Sequence, residues 1–233
     1  MRYELMYTPK INKELKKQVR QYIDSKDLTY IYPGDLYLVL MNLYKTVAPI
    51  WARHSRTTLK KSSTPVLQTK DDNIIVPPLG QMGFSDRIVR IMEEWFRVRL
   101  FNDANDITQT TIRLIREVLS RAALSGASFD DIVAELESPE FTAKRARLIA
   151  RTETVGAANA GSIANAKLAG ATKKIWIAAR DSRTRMHHRE VNQTVVPIDM
   201  KFRVGTSFMD YPGDKAGGAN EVCNCRCVMA GIP

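Results

Sequence analysis

At Gly170 the hydrophobic pattern of this chain changes period, and that change limits what can fold on either side of it. From Ser85, a predicted N-cap, Ile88, Ile91, Met92, Trp95 and Phe96 recur three and four residues apart, which predicts a helix to about Phe101. The polar run Asn102-Asp103-Ala104-Asn105-Asp106 is expected to break it. Ile107, Ile112, Ile115, Val118 and Leu119 then predict a second helix ending near Gly126, and Ser128-Phe129-Asp130-Asp131 a capped start for a third, with Ile132, Val133 and Leu136 on its apolar face. A basic, alanine-rich helix follows from Phe141 to Leu168, with Gly170 as its C-cap. Beyond Gly170 the pattern is that of strands: Lys173–Ala179 and Thr194–Ile198, followed by turns rich in Gly and Pro. The predicted fold class is α+β, mainly helical in its N-terminal and central regions, then a small mixed α/β C-terminal unit with short strands.

Upstream, Leu15, Val19, Tyr22 and Ile23 predict a short amphipathic helix over residues 12–26, with Asn12 as a possible cap and a solvated basic face. After the turn signal Tyr32-Pro33-Gly34-Asp35, Leu36 to Trp51 reads as a buried helix that Pro49 kinks or ends. Residues 55–80 are polar, contain proline and lack lasting periodicity, the composition of a linker or extended arm; within them Asn73-Ile74-Ile75-Val76 is either a strand or a segment laid across a neighbouring subunit. The regions expected are an N-terminal docking region (1–54), the arm (55–80), a helical bundle (81–170) and a small α+β unit (171–233).

A formal charge of +10 and a pI near 9.6 favour a polyanionic partner, nucleic acid first, through release of counterions from phosphate. The charge is uneven: residues 141–190 hold eleven Lys or Arg against Glu153, Asp181 and Glu190. Lys144, Arg145, Arg147, Arg151, Lys173 and Lys174 are therefore the candidates for a general phosphate-binding surface, without base-specific readout. Because offsets of two, four and six do not share one helix face, some of Arg145, Arg147 and Arg151 must pair internally. With no long apolar run and no charged-then-apolar start, neither a membrane span nor a signal peptide is expected, which places the chain in the cytoplasm or inside a virion.

Three cysteines lie within five residues, Cys223-Asn224-Cys225-Arg226-Cys227, too close together to staple distant parts of the chain. Two readings of them stand side by side. His187 and His188 with the cysteines assemble a zinc site across the fold, or the thiols are buried as small apolar groups with Arg226 pointing to the opposite side. The second is the expectation, so no metal site and no cofactor are assigned. Asp181-Ser182-Arg183-Thr184-Arg185-Met186-His187-His188, just after a predicted strand, also has two readings. One is nuclease-like, with Asp181 and His188 at a metal and Arg183 and Arg185 on phosphate; the other is a capped loop held by hydrogen bonds, which the lack of a second carboxylate at useful spacing favours. Tyr211-Pro212-Gly213-Asp214 is a type I or II turn signal. No Walker loop, dinucleotide fingerprint, His-Glu-x-x-His or Gly-x-Ser-x-Gly occurs, so the common enzyme classes lose ground.

Taken in order, Ala150-Arg151-Thr152-Glu153-Thr154, Asp181-Ser182-Arg183-Thr184-Arg185 with His188, Val196-Pro197, Phe202, Tyr211-Pro212-Gly213-Asp214 and Asn224-Cys225-Arg226-Cys227 resemble the C-terminal domain of the phage Mu F-like head morphogenesis family, over about residues 130–230. The resemblance implies a non-enzymatic minor head protein of a tailed double-stranded DNA phage. It would bind the portal protein, and major capsid or scaffolding protein as a further partner, together with double-stranded DNA non-specifically. It would sit inside the capsid near the portal after assembly in the host cytoplasm, acting in assembly or before ejection. It further implies that Asp181, Arg183, Arg185, His188, Asn224, Cys225, Arg226 and Cys227 form one structural cluster tying the loop after the strand to the C-terminal tail. The chain departs from the family pattern at Asn192-Gln193, where the family commonly has Gly, with an expected left-handed Asn; Cys223 is an extra thiol, and residues 1–80 match no family pattern. The competing functions are a metal-dependent nucleic-acid-processing enzyme using Asp181 and His188, and a delivered effector, for which no additional C-terminal module is present to carry a toxin.

Overall fold

The computed structural model describes residues 2–62 and 84–233. Five long or medium helices come first: α1 (Arg2–Ser25), α2 (Gly34–Ser62), α3 (Phe84–Ser125), α4 (Phe129–Glu137) and α5 (Pro139–Leu168). The C-terminal part follows as β1 (Lys173–Ile177), α6 (Met186–Glu190), β2 (Val195–Pro197), β3 (Phe202–Val204), β4 (Ser207–Met209), α7 (Gly218–Val222) and β5 (Val228–Ile232). The class is α+β, and among the described residues the short antiparallel strands all follow Gly170. No described helix is long and apolar enough to cross a membrane.

The helices are longer than the periodicity predicts. α1 begins at Arg2, because Tyr7 and Ile11 extend the buried stripe of Leu15, Val19 and Tyr22 by two turns; Asn12 is inside the helix and caps nothing. α2 runs through Pro49 to Ser62, so residues 55–62 of the expected arm are helical, while the proposed strand at 73–76 and the remainder of the arm lie outside the described residues. The break expected at 102–106 is absent: α3 is continuous. Of the polar residues in that run only Asp103 turns inward; Asn102 and Asp106 stay exposed on the helix surface. Asp103 is buried 4.0 Å from Arg99, and one turn on, the Gln18 amide donates to Thr108 Oγ1 (2.8 Å) while the Thr111 hydroxyl donates to Gln18 Oε1 (3.1 Å). The run does not break the helix because the buried residues on either side of it and within it, Phe96, Leu100, Ala104, Thr108 and Thr111, hold one inward face continuously through it.

The described chain packs as two units, each made from two stretches of sequence: Met1–Leu43 with Phe96–Arg151, and Tyr44–Trp95 with Thr152–Pro233. The expected regions, by contrast, are consecutive. The first unit is helical, with a core of Val19, Tyr22 and Ile31 against Ile112, Ile115, Val118 and Leu136. Within it Ser128 caps α4 in a capping box, its hydroxyl accepting from the Asp131 N–H and the Asp131 carboxylate accepting from the Ser128 N–H.

In the second unit α5 is the spine. Ala157, Ala160, Ile163, Ala164 and Ala166 are buried, and Gly161 lets α2 approach so closely that a Cβ there would lie 2.2 Å from the Ala48 carbonyl oxygen. Gly170, at φ +73°, ends the helix: its N–H donates to Lys167 O and that of Ala171 to Ala166 O. The chain then enters a three-stranded sheet in the order β2-β1-β5, with Lys173 opposite Ile232 and Ile177 opposite Val228. β1 alternates, placing Lys174 and Trp176 inward. The turn before β2 is left-handed at Gln193 (φ +64°), while Asn192 instead accepts the Ala178 N–H on its side-chain oxygen; the positive φ thus falls one residue later than expected. β3 and β4 form a separate hairpin.

Candidate functional site

The site is built where the loop after β1 meets the segment from α7 to β5. Trp176, Ala178, Val191, Phe202, Val204, Met209, Val222, Cys225 and Cys227 form the apolar core of the second unit, and His188 from α6 enters it with 1% of its surface exposed. The Trp176 ring meets the imidazole edge-on, centroids 5.4 Å apart. An imidazole in such a place needs partners for both nitrogens. Nδ1 lies 3.3 Å from Cys227 Sγ and 3.6 Å from Cys225 Sγ, and Nε2 lies 3.0 Å from Glu221 Oε2. The other oxygen of Glu221 meets Nδ1 of the half-exposed His187 at 2.9 Å, a contact that raises the His187 pKa above its ordinary value.

The sulfurs are themselves hydrogen-bonded. The Cys227 N–H donates to Cys225 Sγ (3.4 Å), and the Ala179 N–H reaches Cys227 Sγ. The two neighbouring thiols act on each other's titration: Cys225 lowers the pKa of Cys227, while Cys227 and burial push that of Cys225 up. Cys225 and Cys227 are buried while Arg226, between them, points outward. The cysteines precede β5, so this alternation belongs to extended chain outside the sheet.

Around this centre the loop and the tail are joined at two further points, and the tail is tied to α5 at a third. The Arg226 guanidinium grips both oxygens of Asp181, which holds that carboxyl well below the usual carboxylate range. Arg185 donates to the Cys223 carbonyl at 2.5 Å. Asn224, left-handed at φ +59°, sends its N–H to Thr152 Oγ1 on α5 (2.8 Å). Arg183 is the outlying member, its side chain 72% exposed and 3.8 Å from Asp181. Asp181 and His188 do not meet in a common ligand group: Arg226 engages the first, while Glu221 and sulfur engage the second.

α5 holds the tail from behind. Asn159, buried on that helix, donates to the carbonyls of Pro212 (2.9 Å) and Cys227 (3.0 Å) and accepts from the Met229 N–H (2.9 Å). The turn Tyr211-Pro212-Gly213-Asp214 closes through Asp214 N–H to Tyr211 O, with Gly213 at φ +89°, the type II form. Gly213 needs to be glycine twice over, since a Cβ there would sit 2.9 Å from the Gly156 Cα. Glu153, also on α5, accepts from Tyr44 and Lys215 at 3.0 and 2.7 Å.

The six candidate phosphate-binding cations divide. Arg145 is internal: it donates to Thr111 Oγ1 and Ile107 O, and burial lowers its pKa to about 10. Lys174 is also internal, its ammonium on the Asp210 carbonyl (2.9 Å) and 5.3 Å from the centre of the Phe202 ring. Arg151 is largely covered and paired with Glu4 at 2.7 Å. These three are corrected from surface to structure, because long cationic side chains on an inward face bury their stems and must find acceptors. Lys144, Arg147 and Lys173 remain exposed, Lys144 3.6 Å from Glu140 and Arg147 3.3 Å from Glu4.

Glu221, Asn159 and Thr152 carry the site together with the motif residues, yet sequence reasoning assigned none of them a place in it. Thr152 stood in a quoted motif without a role. Glu221 had a signal, an acid just ahead of the cysteines; Asn159 had none in an alanine-rich helix.

The family model for Phage Mu protein F like proteins matches residues 113–230, just over half of the chain. Among curated proteins, the chain is 26% identical to an uncharacterized protein, YqbB, of Bacillus subtilis (strain 168) over 164 residues, 68% of this chain and 52% of that protein. It is 29% identical to minor head protein GP7 of Bacillus phage SPP1 over 125 residues, 51% of this chain and 40% of that protein. It therefore spans about half the length of these relatives or less. No solved structure matches. The matched residues contain every motif of the loop-and-tail cluster, and the chain belongs to the Phage Mu protein F like family.

Proposed function

We propose that this protein is a minor head protein of a tailed double-stranded DNA phage, acting by binding and not by catalysis, and located in the virion with the portal and the packaged DNA. The observation that supports it most is the family match over residues 113–230, which takes in the cluster of Asp181, Arg185, His188, Asn224, Cys225, Arg226 and Cys227. The likeness to a minor head protein of phage SPP1 points the same way. The net charge of +10 suits a protein that works beside DNA. The polar groups of the site face one another and the core, the arrangement of a structural clasp.

The portal is tested by co-expressing the full chain with the portal protein of its phage and sizing what co-purifies. A stable complex supports the reading; separate elution of two folded proteins overturns it. DNA contact is tested by charge reversal at the exposed Lys144 and Lys173. Lys144→Glu with Lys173→Glu is expected to weaken binding alike on unrelated sequences and to flatten the dependence of affinity on salt by roughly one phosphate contact per residue. Unchanged affinity across a salt series removes these residues from the DNA surface.

A further inference from the structure

We infer that His188, Cys225 and Cys227 form a binding site for a thiophilic divalent cation, zinc above all, that clasps the C-terminal tail to the loop after β1.

Three soft donor atoms from distant parts of the sequence converge: Nδ1 of His188 and the sulfurs of Cys225 and Cys227 all lie within 4.8 Å of one another. Their separations have the right size. Zinc–sulfur bonds of about 2.3 Å and zinc–nitrogen bonds of about 2.05 Å at the tetrahedral angle put nitrogen and sulfur about 3.6 Å apart. The observed edges are 3.3 and 3.6 Å. Only small movements are needed to admit the ion.

The surroundings suit a metal better than a packing role. A ligating imidazole is ordinarily fixed by a carboxylate on its other nitrogen, which sets the tautomer and leaves the facing lone pair for the ion. Glu221 stands at that position, 3.0 Å from Nε2, and reaches His187 with its second oxygen. Each sulfur also receives a backbone N–H, from Cys227 onto Cys225 and from Ala179 onto Cys227. Amide donors of this kind stabilise thiolate, the form that binds metal. Thiols buried only as small apolar groups would need neither these donors nor a histidine aimed between them. All three ligands are at most 2% exposed, so the ion would be held in the core by three protein ligands, one short of a closed four-ligand site. A divalent ion would take up two thiolate charges that the core otherwise has to exclude, and solvent would supply the fourth ligand.

The test uses the full chain, purified under reducing conditions, with zinc measured by mass spectrometry and cobalt(II) chloride as the spectroscopic probe. One equivalent of zinc per chain is expected, and a cobalt form with the intense visible bands of a tetrahedral ion and the near-ultraviolet charge transfer of thiolate. Cys225→Ser with Cys227→Ser should reduce the metal from one equivalent to none. Glu221→Gln should keep the stoichiometry but weaken affinity by about 10- to 100-fold. His187→Ala, which touches Glu221 from outside, should still carry one equivalent. Reduced wild-type protein that takes up neither zinc nor cobalt overturns the inference, as does full metal content in the folded double variant. Should the double variant fail to fold, the wild-type cobalt spectrum decides alone, since octahedral bands without thiolate charge transfer would place the ion on other ligands.

Discussion

In the first unit α1 buries five apolar side chains, Tyr7, Ile11, Leu15, Val19 and Tyr22, beside the polar Glu4 and Gln18; in the second, the buried positions around the site are Asn159, Lys174, His188 and Glu221. Both interiors are closed to water but are specified differently. An apolar stripe gains roughly 1.5–3 kcal/mol for each large side chain it buries and accepts any partner of about the right shape. A buried polar group gains little from its hydrogen bond and loses about 1–3 kcal/mol when left without one, so it selects a single arrangement. The first unit is held together by area, whereas the second has its loop and tail located by polar contacts.

If that contrast is right, the largest effect should come from a polar residue. Asn159→Leu roughly keeps the size and supplies the apolar character that an inward helix face ordinarily rewards, yet it strands two carbonyls and one N–H. A loss of about 3 kcal/mol or more is expected by chemical denaturation, with the tail exchanging its amide hydrogens faster than β1. A loss below about 1 kcal/mol would mean that these groups find water and that area holds this unit too.

A smaller loss, about 1–3 kcal/mol, is expected from Gly161→Ala. In an exposed helix the change should gain about 1 kcal/mol. Here the new Cβ would lie 2.2 Å from the Ala48 carbonyl oxygen, backbone that can yield only if α2 moves. Stabilisation by Gly161→Ala, read from the denaturation midpoint, would show that α2 and α5 are loosely packed and that the close approach is not what orders this unit.

The same contrast explains how much could be read from the sequence. The helical regions, the capped start of α4, the Gly170 stop and strands β1 and β2 follow from period and turn chemistry, which are local, whereas β3, β4 and β5 lie in a tail that reads only as rich in turns. Two local signals mislead: the polar run Asn102–Asp106 reads as a break although the buried stripe continues through Leu100, Ala104 and Thr108, and Asn12 reads as a cap although the stripe runs back to Tyr7. In the site the motif residues were visible by type and order. Their contacts were not, because Glu221 is 33 residues from His188 and Asn159 is 68 from Cys227. Lys174 and Arg145 were misplaced for a related reason. Their charge was counted as surface, while Asp210, Thr111 and the Ile107 carbonyl receive it internally.

The smallest effect should come from Glu4, one of the buried polar residues of the first unit, and its pH dependence tests whether it contributes at all. Glu4 is 7% exposed and accepts from Arg151 and Arg147, and the Arg151 hydrogen bond foremost holds its carboxyl below the ordinary 4.5. A carboxyl depressed in the folded state contributes stability that is fully present above the unfolded value of 4.5 and is lost as pH falls through the lower folded value. Glu4→Gln should therefore be less stable than the natural chain at about pH 6, with the gap narrowing as pH falls towards about 3. Parallel stability curves across that window would show that the two arginines do not favour the charged form, leaving the first unit's polar contribution to the buried bonds of Gln18 with Thr108 and Thr111.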